Sequence, residues 1–368
     1  MRTVAIIGTN GLPAKYGGFE TLCNYLVDNF DESTHDIIVY CSKTPKKNRL
    51  DSFNGAKLVY FPFKANGWQS MLYDFATIIH GFFKANDLII LGFSGAFAFP
   101  INKFFKRNII FNIGGIEWKK VRGSKITSKF EILLKKYMEK LCVKNSNTII
   151  IDNLAFRDYI VNKYAKEPVL AEYGGDHAKK IAITNELLLK YPFLKSKYAI
   201  SVSRAQEDMN IHVLIDAFKE VPEKKVVIIS NWHISDYGKE LYDKNVDKYE
   251  NIILLKAVYD SSELNAIRSN AQFYIHSHSL CGTAPSLVEA MCMELPIISF
   301  DVPTNRETTE NKSMYFDSSS QLTDILKSLN DQTLHNIKNE MTEIAKRRYT
   351  WKRISTIYQN NLSKNNPD

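Results

Sequence analysis

The sequence contains few of the features that indicate a disulfide-stabilised, membrane-spanning or disordered protein. Only five of its 368 residues are cysteine, an odd number, scattered along the chain without a CxxC pair. An uncharged and largely apolar run of 14 residues, 88–101, includes two glycines and a proline. It is therefore too short and too interrupted to span a bilayer. With no internal repeat and no low-complexity tract, we expect a soluble globular chain with reduced thiols.

Length and composition predict about two ordinary domains, taking roughly 150 residues for each. The chain is 45% hydrophobic and 24% charged, as is typical of globular proteins. Its first apolar stretch, Thr3–Ile7, is short and runs directly into Gly8. A signal peptide needs a longer apolar core, so we predict a first β-strand there instead.

The net charge of +8 is concentrated in one segment of the chain. Residues 1–168 carry 24 basic and 14 acidic residues, whereas residues 169–368 carry 24 and 26. Segment Lys103–Lys144 alone holds 12 basic and 3 acidic residues. Apolar residues recur at helical spacing within it: Ile126, Phe130, Leu133, Leu134, Tyr137 and Leu141. This pattern indicates either a core-packed helix with a solvated basic face or a surface for anionic lipid headgroups. No nucleic-acid-binding motif accompanies it, so we expect no nucleic-acid partner.

Short β-branched runs alternate with amphipathic stretches in two successive series. The predicted strands are Thr3–Ile7, Asp36–Cys41, Lys57–Phe61, Asp87–Leu91, Asn108–Phe111 and Asn147–Ile151, then Tyr198–Ser203, Lys225–Ser230, Ile252–Leu255, Gln272–His276 and Pro296–Phe300. Strand–helix alternation is typical of a parallel sheet covered by helices on both faces. Two series predict two doubly wound α/β domains, joined within residues 171–197, where the pattern breaks.

Two loops have the composition of phosphate-binding turns. In the first, Gly17 and Gly18 precede the predicted helix Phe19–Asn29, although neither the dinucleotide fingerprint nor the Walker pattern is present. In the second, Pro285 suits the first turn of a helix. Its neighbours supply backbone and hydroxyl donors for a diphosphate: Gly282, Thr283 and Ser286.

Three ionisable side chains in the second loop have alternative interpretations. Glu289 lies one helical turn beyond Pro285, where it either reaches the hydroxyls of a ribose or is an ordinary solvated residue. His278 either faces a sugar pocket or forms a structural hydrogen bond. His276 and His278 point to one face of a strand end, and they predict a metal site only with a third ligand, which the sequence does not reveal.

Motifs in the same order along nearly the whole chain resemble one enzyme family. They are Gly11–Thr21, residues 115–119, Asp152-Asn153, Asn231-Trp232, Gly282–Glu289, Phe300–Arg306 and Tyr349–Trp351. With them the sequence resembles glycosyltransferase family 4, retaining enzymes of the GT-B fold, and its bacterial rhamnosyltransferase-like subgroup. The resemblance implies two Rossmann-like α/β domains facing across a cleft: an acceptor-side domain at 1–175 and a nucleotide-sugar domain at 176–350. A C-terminal helix at 351–368 crosses back to the first domain.

The resemblance also implies roles for individual residues. Arg204 neutralises the leaving diphosphate, Gly282–Ser286 cradle it, and Glu289 holds the ribose. Gly17 and Gly18 line the cleft near the donor diphosphate and the acceptor, and Asn305 lies near the donor edge of the cleft. Because an arginine and a helix N-terminus then carry the phosphate charge, no metal or other cofactor is expected.

The implied reaction takes place at a membrane. A sugar, best assigned as L-rhamnose from dTDP-rhamnose with a UDP-linked sugar as the alternative, is transferred to a polyprenyl-diphosphate-linked oligosaccharide in cell-surface polysaccharide synthesis. The enzyme would be cytoplasmic and peripherally bound to the inner face of the plasma membrane through Lys103–Lys144. A nucleotide-sugar epimerase of the same fold and a non-catalytic nucleotide-sugar-binding protein remain the alternatives.

The sequence departs from the family pattern in three places. Cys281 stands where many relatives carry the first of two glutamates, and a lysine usual shortly after Arg204 is missing. Residues 112–115 lack an Asp or His that some relatives have there. Glu117 is then the best candidate to orient or deprotonate the acceptor hydroxyl.

Overall fold

The computed structural model describes residues 2–14, 17–31, 33–115 and 129–362. These residues form two compact units. The first comprises the described residues up to 115, residues 129–173 and residues 351–362; the second comprises residues 174–350.

The first unit is built on a sheet of eight strands among the described residues. They are β1 (Arg2–Ile7), β2 (His35–Cys41), β3 (Ser52–Phe53), β4 (Ala56–Tyr60), β5 (Asp87–Leu91), β6 (Asn108–Asn112), β7 (Thr148–Ile151) and β8 (Val169–Leu170). Their order is β3-β4-β2-β1-β5-β6-β7-β8, and only the pairing of β3 with β4 is antiparallel. All five residues of β5 are buried, which explains why it is an uninterrupted apolar run after Asp87.

Helices cover this sheet. They are α1 (Gly18–Asn29), α2 (Ser70–Lys84), α3 (Asn102–Phe105), α4 (Lys129–Lys144) and α5 (Arg157–Tyr164). The apolar face of α2 packs on the sheet through Ile78 and Phe82, both fully buried among side chains of β1 and β5. Burying two such side chains contributes several kcal/mol, at roughly 1.5–3 kcal/mol each.

The second unit has a six-stranded sheet among its described residues, with every pairing parallel. Its strands are β9 (Ala199–Val202), β10 (Val226–Ser230), β11 (Ile252–Lys256), β12 (Phe273–His276), β13 (Ile297–Phe300) and β14 (Met314–Phe316). The order is β11-β10-β9-β12-β13-β14. The chain thus builds one side of the sheet from β9 outward, then returns to build the other side beginning with β12.

Eight helices accompany the second sheet in the described chain. They are α6 (Asn185–Lys190), α7 (Ile211–Lys219), α8 (Asp236–Asn245), α9 (Ser261–Ser269), α10 (Pro285–Cys292), α11 (Pro303–Thr308), α12 (Ser319–Ser328) and α13 (Asp331–Arg348). Five of them begin where a polar side chain accepts a hydrogen bond from the backbone N–H three residues on: Thr184, Ser235, Asp260, Ser318 and Asn330. Each such cap stabilises its helix by about 1 kcal/mol.

The last helix, α14 (Trp351–Asn360), belongs to the first unit. Trp351 stacks on Tyr25 of α1 with ring centroids 4.6 Å apart, and it meets Tyr173 edge-on at 4.8 Å. Farther along α14, the hydroxyl of Tyr358 accepts a hydrogen bond of 2.6 Å from the side chain of Asn112. The predicted return of the C-terminal helix to the first domain is therefore confirmed. None of the helices in the described parts of the chain is long and apolar enough to cross a membrane.

We expect Trp351→Ala to destabilise the protein by about 3–5 kcal/mol, because it removes a large side chain that is only 3% exposed. The neighbouring exposed Lys352 is the matched control, and Lys352→Ala should change stability by no more than about 0.5 kcal/mol. Urea denaturation followed by circular dichroism measures both variants. Equal stability of the two would show that α14 contributes little to the first unit.

Candidate functional site

The candidate site lies where the strand order of the second sheet reverses. Neighbouring strands β9 and β12 lead the chain toward opposite sides of the sheet. In open parallel sheets, ligands bind beside the carboxyl ends of the strands at such a switch point. Arg204 follows β9, His278 follows β12, and Asn305 lies in the helix that follows β13. The sheet therefore gathers three predicted site residues at one edge.

At this edge Arg204 supplies a cationic group and His278 supplies a neutral polar group. Arg204 is exposed, and no carboxylate pairs with it among the described residues. His278 is buried, and both its burial and the nearby Arg204 charge lower its pKa from 6.5 to about 3. Around neutral pH the imidazole is uncharged, so it is able to donate one hydrogen bond and accept another.

The N-terminus of α10 faces the same turn. The helix begins at Pro285, and Ala284 precedes it without any side chain capping the first N–H groups. Gly282 and Thr283 are buried just before it, and the hydroxyl of Ser286 hydrogen-bonds with that of Tyr274. Uncapped N–H groups at a helix start carry partial positive charge and favour an anion.

Glu289 is held by two side chains, Arg268 and His177, inside the second unit. Arg268 donates a hydrogen bond of 2.6 Å to one carboxylate oxygen, and His177 Nε2 lies 3.3 Å from the other. Burial by itself would raise the pKa of Glu289, but the charge of Arg268 and the contact with His177 outweigh it and hold the pKa below 4.5. The carboxylate is therefore ionised, partly exposed and fixed in orientation.

The loop that carries His177 packs closely on α10. A Cβ atom at Gly175 would lie 2.6 Å from the carbonyl oxygen of Val288, so only glycine permits this approach. The N–H of Gly175 also donates to the carbonyl of Tyr349, at 2.9 Å. These contacts place His177 beside Glu289.

Asn305 is fully buried and links two turns of the site. Its side-chain amide donates hydrogen bonds of 2.9 Å to the carbonyl oxygens of His278 and Phe300. Both amide hydrogens are thereby used by the backbone. In this geometry Asn305 fixes the position of His278.

A third potential metal ligand stands beside the two histidines, contrary to the interpretation of the sequence. Cys281 Sγ lies 3.9 Å from Nε2 of His276, and ligand atoms of His276, His278 and Cys281 all lie within 4.8 Å of one another. The sequence interpretation missed this because a turn, not a regular spacing on one element, brings the cysteine back to the strand end.

In the first unit, Gly17 and Gly18 lie at the start of α1, after β1. Gly17 has φ +124°, and a Cβ there would lie 2.1 Å from a carboxylate oxygen of Glu20. The other oxygen of Glu20 accepts hydrogen bonds from the backbone and side chain of Asn10, at 3.1 and 2.7 Å. The glycine is therefore required to let Glu20 tie the loop to the helix.

Several predicted features fall outside this description or were not foreseen. Glu117 and Ile126 lie outside the described residues, so the proposed acceptor-side role of Glu117 stays a prediction. His177 and Arg268 were missed as partners of Glu289. The Gly174-Gly175-Asp176-His177 run was a usable signal for a tight loop, whereas nothing local marks Arg268 on α9.

We expect Arg268→Met to destabilise the second unit by about 3–5 kcal/mol at pH 7, because it leaves the Glu289 carboxylate without its main charge partner. The stability that comes from the lowered pKa of Glu289 is present above pH 4.5 and is lost as the pH falls through the folded-state pKa. The penalty of Arg268→Met should therefore shrink in acid. Urea denaturation between pH 4 and 7 measures this.

Two further variants complete this experiment. The double variant Arg268→Met/Glu289→Gln should recover part of the loss. Lys239→Met, which breaks an exposed ion pair with Asp236, should cost at most about 1 kcal/mol. If the double variant is no more stable than Arg268→Met, the loss of stability does not come from the unpaired carboxylate of Glu289.

The two halves of the chain match different domain families. Residues 1–176 match a domain of unknown function, DUF1972. Residues 190–348 match the family described as glycosyl transferases group 1. No curated protein matches the sequence.

Solved glycosyltransferase structures share the fold over nearly the whole chain. Sucrose-phosphate synthase of Thermosynechococcus elongatus aligns with a TM-score of 0.78 at 13% identity, covering 98% of both chains. Anabaena HepE, solved in complex with UDP and glucose, aligns at 0.71 and 14%, again over 98% of both. An Escherichia coli protein described as trehalose-6-phosphate, bound with UDP-2-fluoro glucose, aligns at 0.70 and 10% over the full length of both.

At 10–14% sequence identity, the similarity to these solved structures establishes the fold. It is an α/β two-domain GT-B-like architecture, as the sequence predicts. The domain match supports a group 1 glycosyltransferase activity. The first half of the chain thus matches DUF1972 and the second half matches glycosyl transferases group 1, and the chain has a GT-B-like fold.

Proposed function

We propose that the protein is a retaining glycosyltransferase that takes its sugar from a nucleoside diphosphate donor. The proposal rests mainly on one observation: Arg204, His278 and the uncapped start of α10 all lie at the switch point of the second sheet. An exposed cation and a helix N-terminus suit a diphosphate, whose negative charge increases as the bond to the sugar breaks. HepE and the E. coli protein, each solved with a UDP ligand, support a donor of this class.

Each site residue has a role in the proposed donor complex. The diphosphate lies against Gly282–Ser286 with Arg204 beside it, and Glu289 accepts hydrogen bonds from the ribose hydroxyls. Neutral His278 contacts the sugar, while Asn305 holds His278 in place. We keep Gly17 and Gly18 as residues near the donor diphosphate and the acceptor.

The proposed chemistry requires little acid or base from the protein. The bond between the anomeric carbon and the diphosphate oxygen breaks, the acceptor oxygen bonds to the same face of the sugar, and its proton passes to the leaving phosphate oxygen. Orientation and charge stabilisation then supply most of the catalysis. Transfer by this route does not require a metal ion. We keep Glu117 as the group that orients the acceptor hydroxyl.

For the donor we propose dTDP-L-rhamnose, with a UDP-linked sugar as the alternative, on the basis of the subgroup resemblance. Saturating nucleoside diphosphate, at a hundred times its dissociation constant, should stabilise the protein by roughly 2.7 kcal/mol. Thermal-shift measurements with dTDP, UDP, GDP and NAD at equal excess rank the nucleotides. A larger shift with UDP than with dTDP would contradict the rhamnosyl donor but not the transferase.

We expect Arg204→Met to lower kcat about a hundredfold and to weaken diphosphate binding, without changing the melting temperature of the unligated protein, because Arg204 is exposed. Lys256→Met is the matched control, since Lys256 is an exposed cation that ends β11, two strands away from β9 in the sheet. Thermal shift and donor turnover measure both variants. Equal effects from the two substitutions would argue against diphosphate binding at the switch point.

We further propose that the acceptor is a polyprenyl-diphosphate-linked oligosaccharide in bacterial cell-surface polysaccharide synthesis. The enzyme would then work in the cytoplasm at the inner face of the plasma membrane. The surface of α4 supports this proposal. Its buried residues are Met138, Glu139, Cys142 and Val143. The row Phe130, Leu133 and Tyr137 instead points to solvent, with exposures between 51% and 74%.

This exposed apolar row lies among cations. Lys136 and Lys140 are exposed on the same helix, and exposed Phe97 lies 6.5 Å from Tyr137. On α3, Lys103 and Phe104 are also exposed, and the ammonium of Lys103 is 4.8 Å from the ring of Phe104. Aromatic side chains that enter the headgroup region, flanked by lysines that meet anionic lipid, are typical of peripheral membrane binding.

We expect Lys136→Glu/Lys140→Glu to weaken binding to phosphatidylglycerol vesicles at least about thirtyfold, taking roughly 1 kcal/mol for each lysine. The control Lys244→Glu/Lys248→Glu changes the net charge equally on an exposed part of the second unit, and it should bind like the unaltered protein. Vesicle co-sedimentation, with phosphatidylcholine as the neutral comparison, measures partitioning. Equal loss in both double variants would show an effect of net charge alone.

A further inference from the structure

Three side chains with metal-ligating atoms converge in the turn that follows β12. His276 ends the strand and is fully buried, His278 is 8% exposed, and Cys281 is half-buried. The two imidazole rings have centroids 4.1 Å apart. Cys281 Sγ is 3.9 Å from His276 Nε2, and the three ligand atoms lie within 4.8 Å of one another.

Each imidazole has one buried ring nitrogen that is open to a metal ion. Nδ1 of His276 and Nε2 of His278 are buried without a hydrogen-bond partner among the described residues. A buried polar nitrogen without a partner is uncommon in native proteins and calls for an explanation such as a bound ion.

We propose that His276, His278 and Cys281 bind one transition-metal ion of the Zn²⁺ class through two imidazole nitrogens and a thiolate. On binding, the thiol proton of Cys281 is released to solvent and the sulfur becomes a metal ligand. Zn–N and Zn–S bonds of about 2.0–2.3 Å require the ligand atoms to move together by roughly 1 Å. Cys281 is half-buried whereas both histidines are buried, so it is the most accessible of the three ligands.

The ligand set determines which ions fit. Two imidazoles and one thiolate favour Zn²⁺ and its transition-metal neighbours over Mg²⁺ or Ca²⁺, which prefer oxygen ligands. Asn305 contacts two of the three ligand residues and so stabilises the turn. Its amide donates to the carbonyl of His278, and its side-chain oxygen lies 3.8 Å from Cys281 Sγ. Three protein ligands leave a fourth position for water or another small ligand.

The position of the cluster also gives a bound ion a regulatory role, which depends on the proposed function. His278 is the side chain that we assign to the donor sugar, so a bound ion and the donor compete for it. The ion is then an inhibitor of transfer, not a cofactor for it.

The test is direct metal binding to the full-length reduced protein in the absence of any nucleotide, so that it does not depend on the transferase proposal. Co²⁺ is titrated first, because thiolate-to-cobalt charge transfer gives an absorption band that reports sulfur ligation. Displacement of Co²⁺ by Zn²⁺ follows, with Mg²⁺ as the comparison. We expect one equivalent of Co²⁺ with the charge-transfer band, displaced by Zn²⁺ and not by Mg²⁺.

Cysteine variants assign the site. Cys281→Ser should abolish the charge-transfer band and weaken Co²⁺ binding at least about tenfold. Cys281→Ala is a second variant in case serine disturbs the turn. Cys292→Ser is the matched control, since Cys292 is a half-buried cysteine of the same unit whose Sγ contacts the carbonyl of Tyr349, and it should keep both the band and the affinity. Absence of stoichiometric Co²⁺ binding, or binding that is unchanged in both Cys281 variants, would overturn the proposal.

Discussion

The parallel direction of the strands is the constraint on which the candidate site depends. In a parallel sheet every strand ends at the same edge, and the reversal of order between β9 and β12 opens a crevice there because neighbouring connections diverge. Arg204 and His278 are 74 residues apart in the sequence, yet each occupies the first turn after one of these two strands. Their proximity follows from topology, and no local signal in either segment is needed to produce it.

Polar groups buried near this edge fix the turns in place. Asn305 uses both amide hydrogens on backbone carbonyls, so the turn carrying His278 is tied to the end of β13. Loss of the bond to the carbonyl of His278 would cost about 1–3 kcal/mol, whereas the carbonyl of Phe300 also accepts a hydrogen bond from the N–H of Val302. The site is thus held mainly by hydrogen bonds to the backbone, which define the position of a turn more closely than apolar packing does.

Much of the architecture could be predicted from the sequence, because buried parallel strands have continuous runs of β-branched residues. The strand Asp87–Leu91, for example, has the bounds that the sequence predicts. Burial was harder to predict from periodicity. The apolar row Phe130, Leu133 and Tyr137 has helical spacing that favours a core face, but α4 packs through the row of Met138 and Cys142 instead. Helical spacing identifies a face and does not say what covers it.

Partners that are distant in sequence were the least predictable part of the site. Glu289 was recognised as a candidate, but its partners come from the loop at His177 and from α9, and neither segment carries a signal that refers to α10. The same was true of Cys281, because the path of the turn brings its sulfur back to His276. Patterns within one element predict that element, whereas contacts between elements depend on the packed fold.

The ion pair of Glu289 also removes an electrostatic difficulty of the site. A carboxylate one turn into α10 would by itself oppose the positive potential of the helix N-terminus and repel a diphosphate. Arg268 is 3% exposed and contacts Glu289 at 2.6 Å, so the negative charge is neutralised where it arises. Arg204, exposed and without a carboxylate partner among the described residues, keeps its charge at the same edge. The net charge at this edge is therefore positive. Arg268 compensates the carboxylate of Glu289, and Arg204 remains available to an anion.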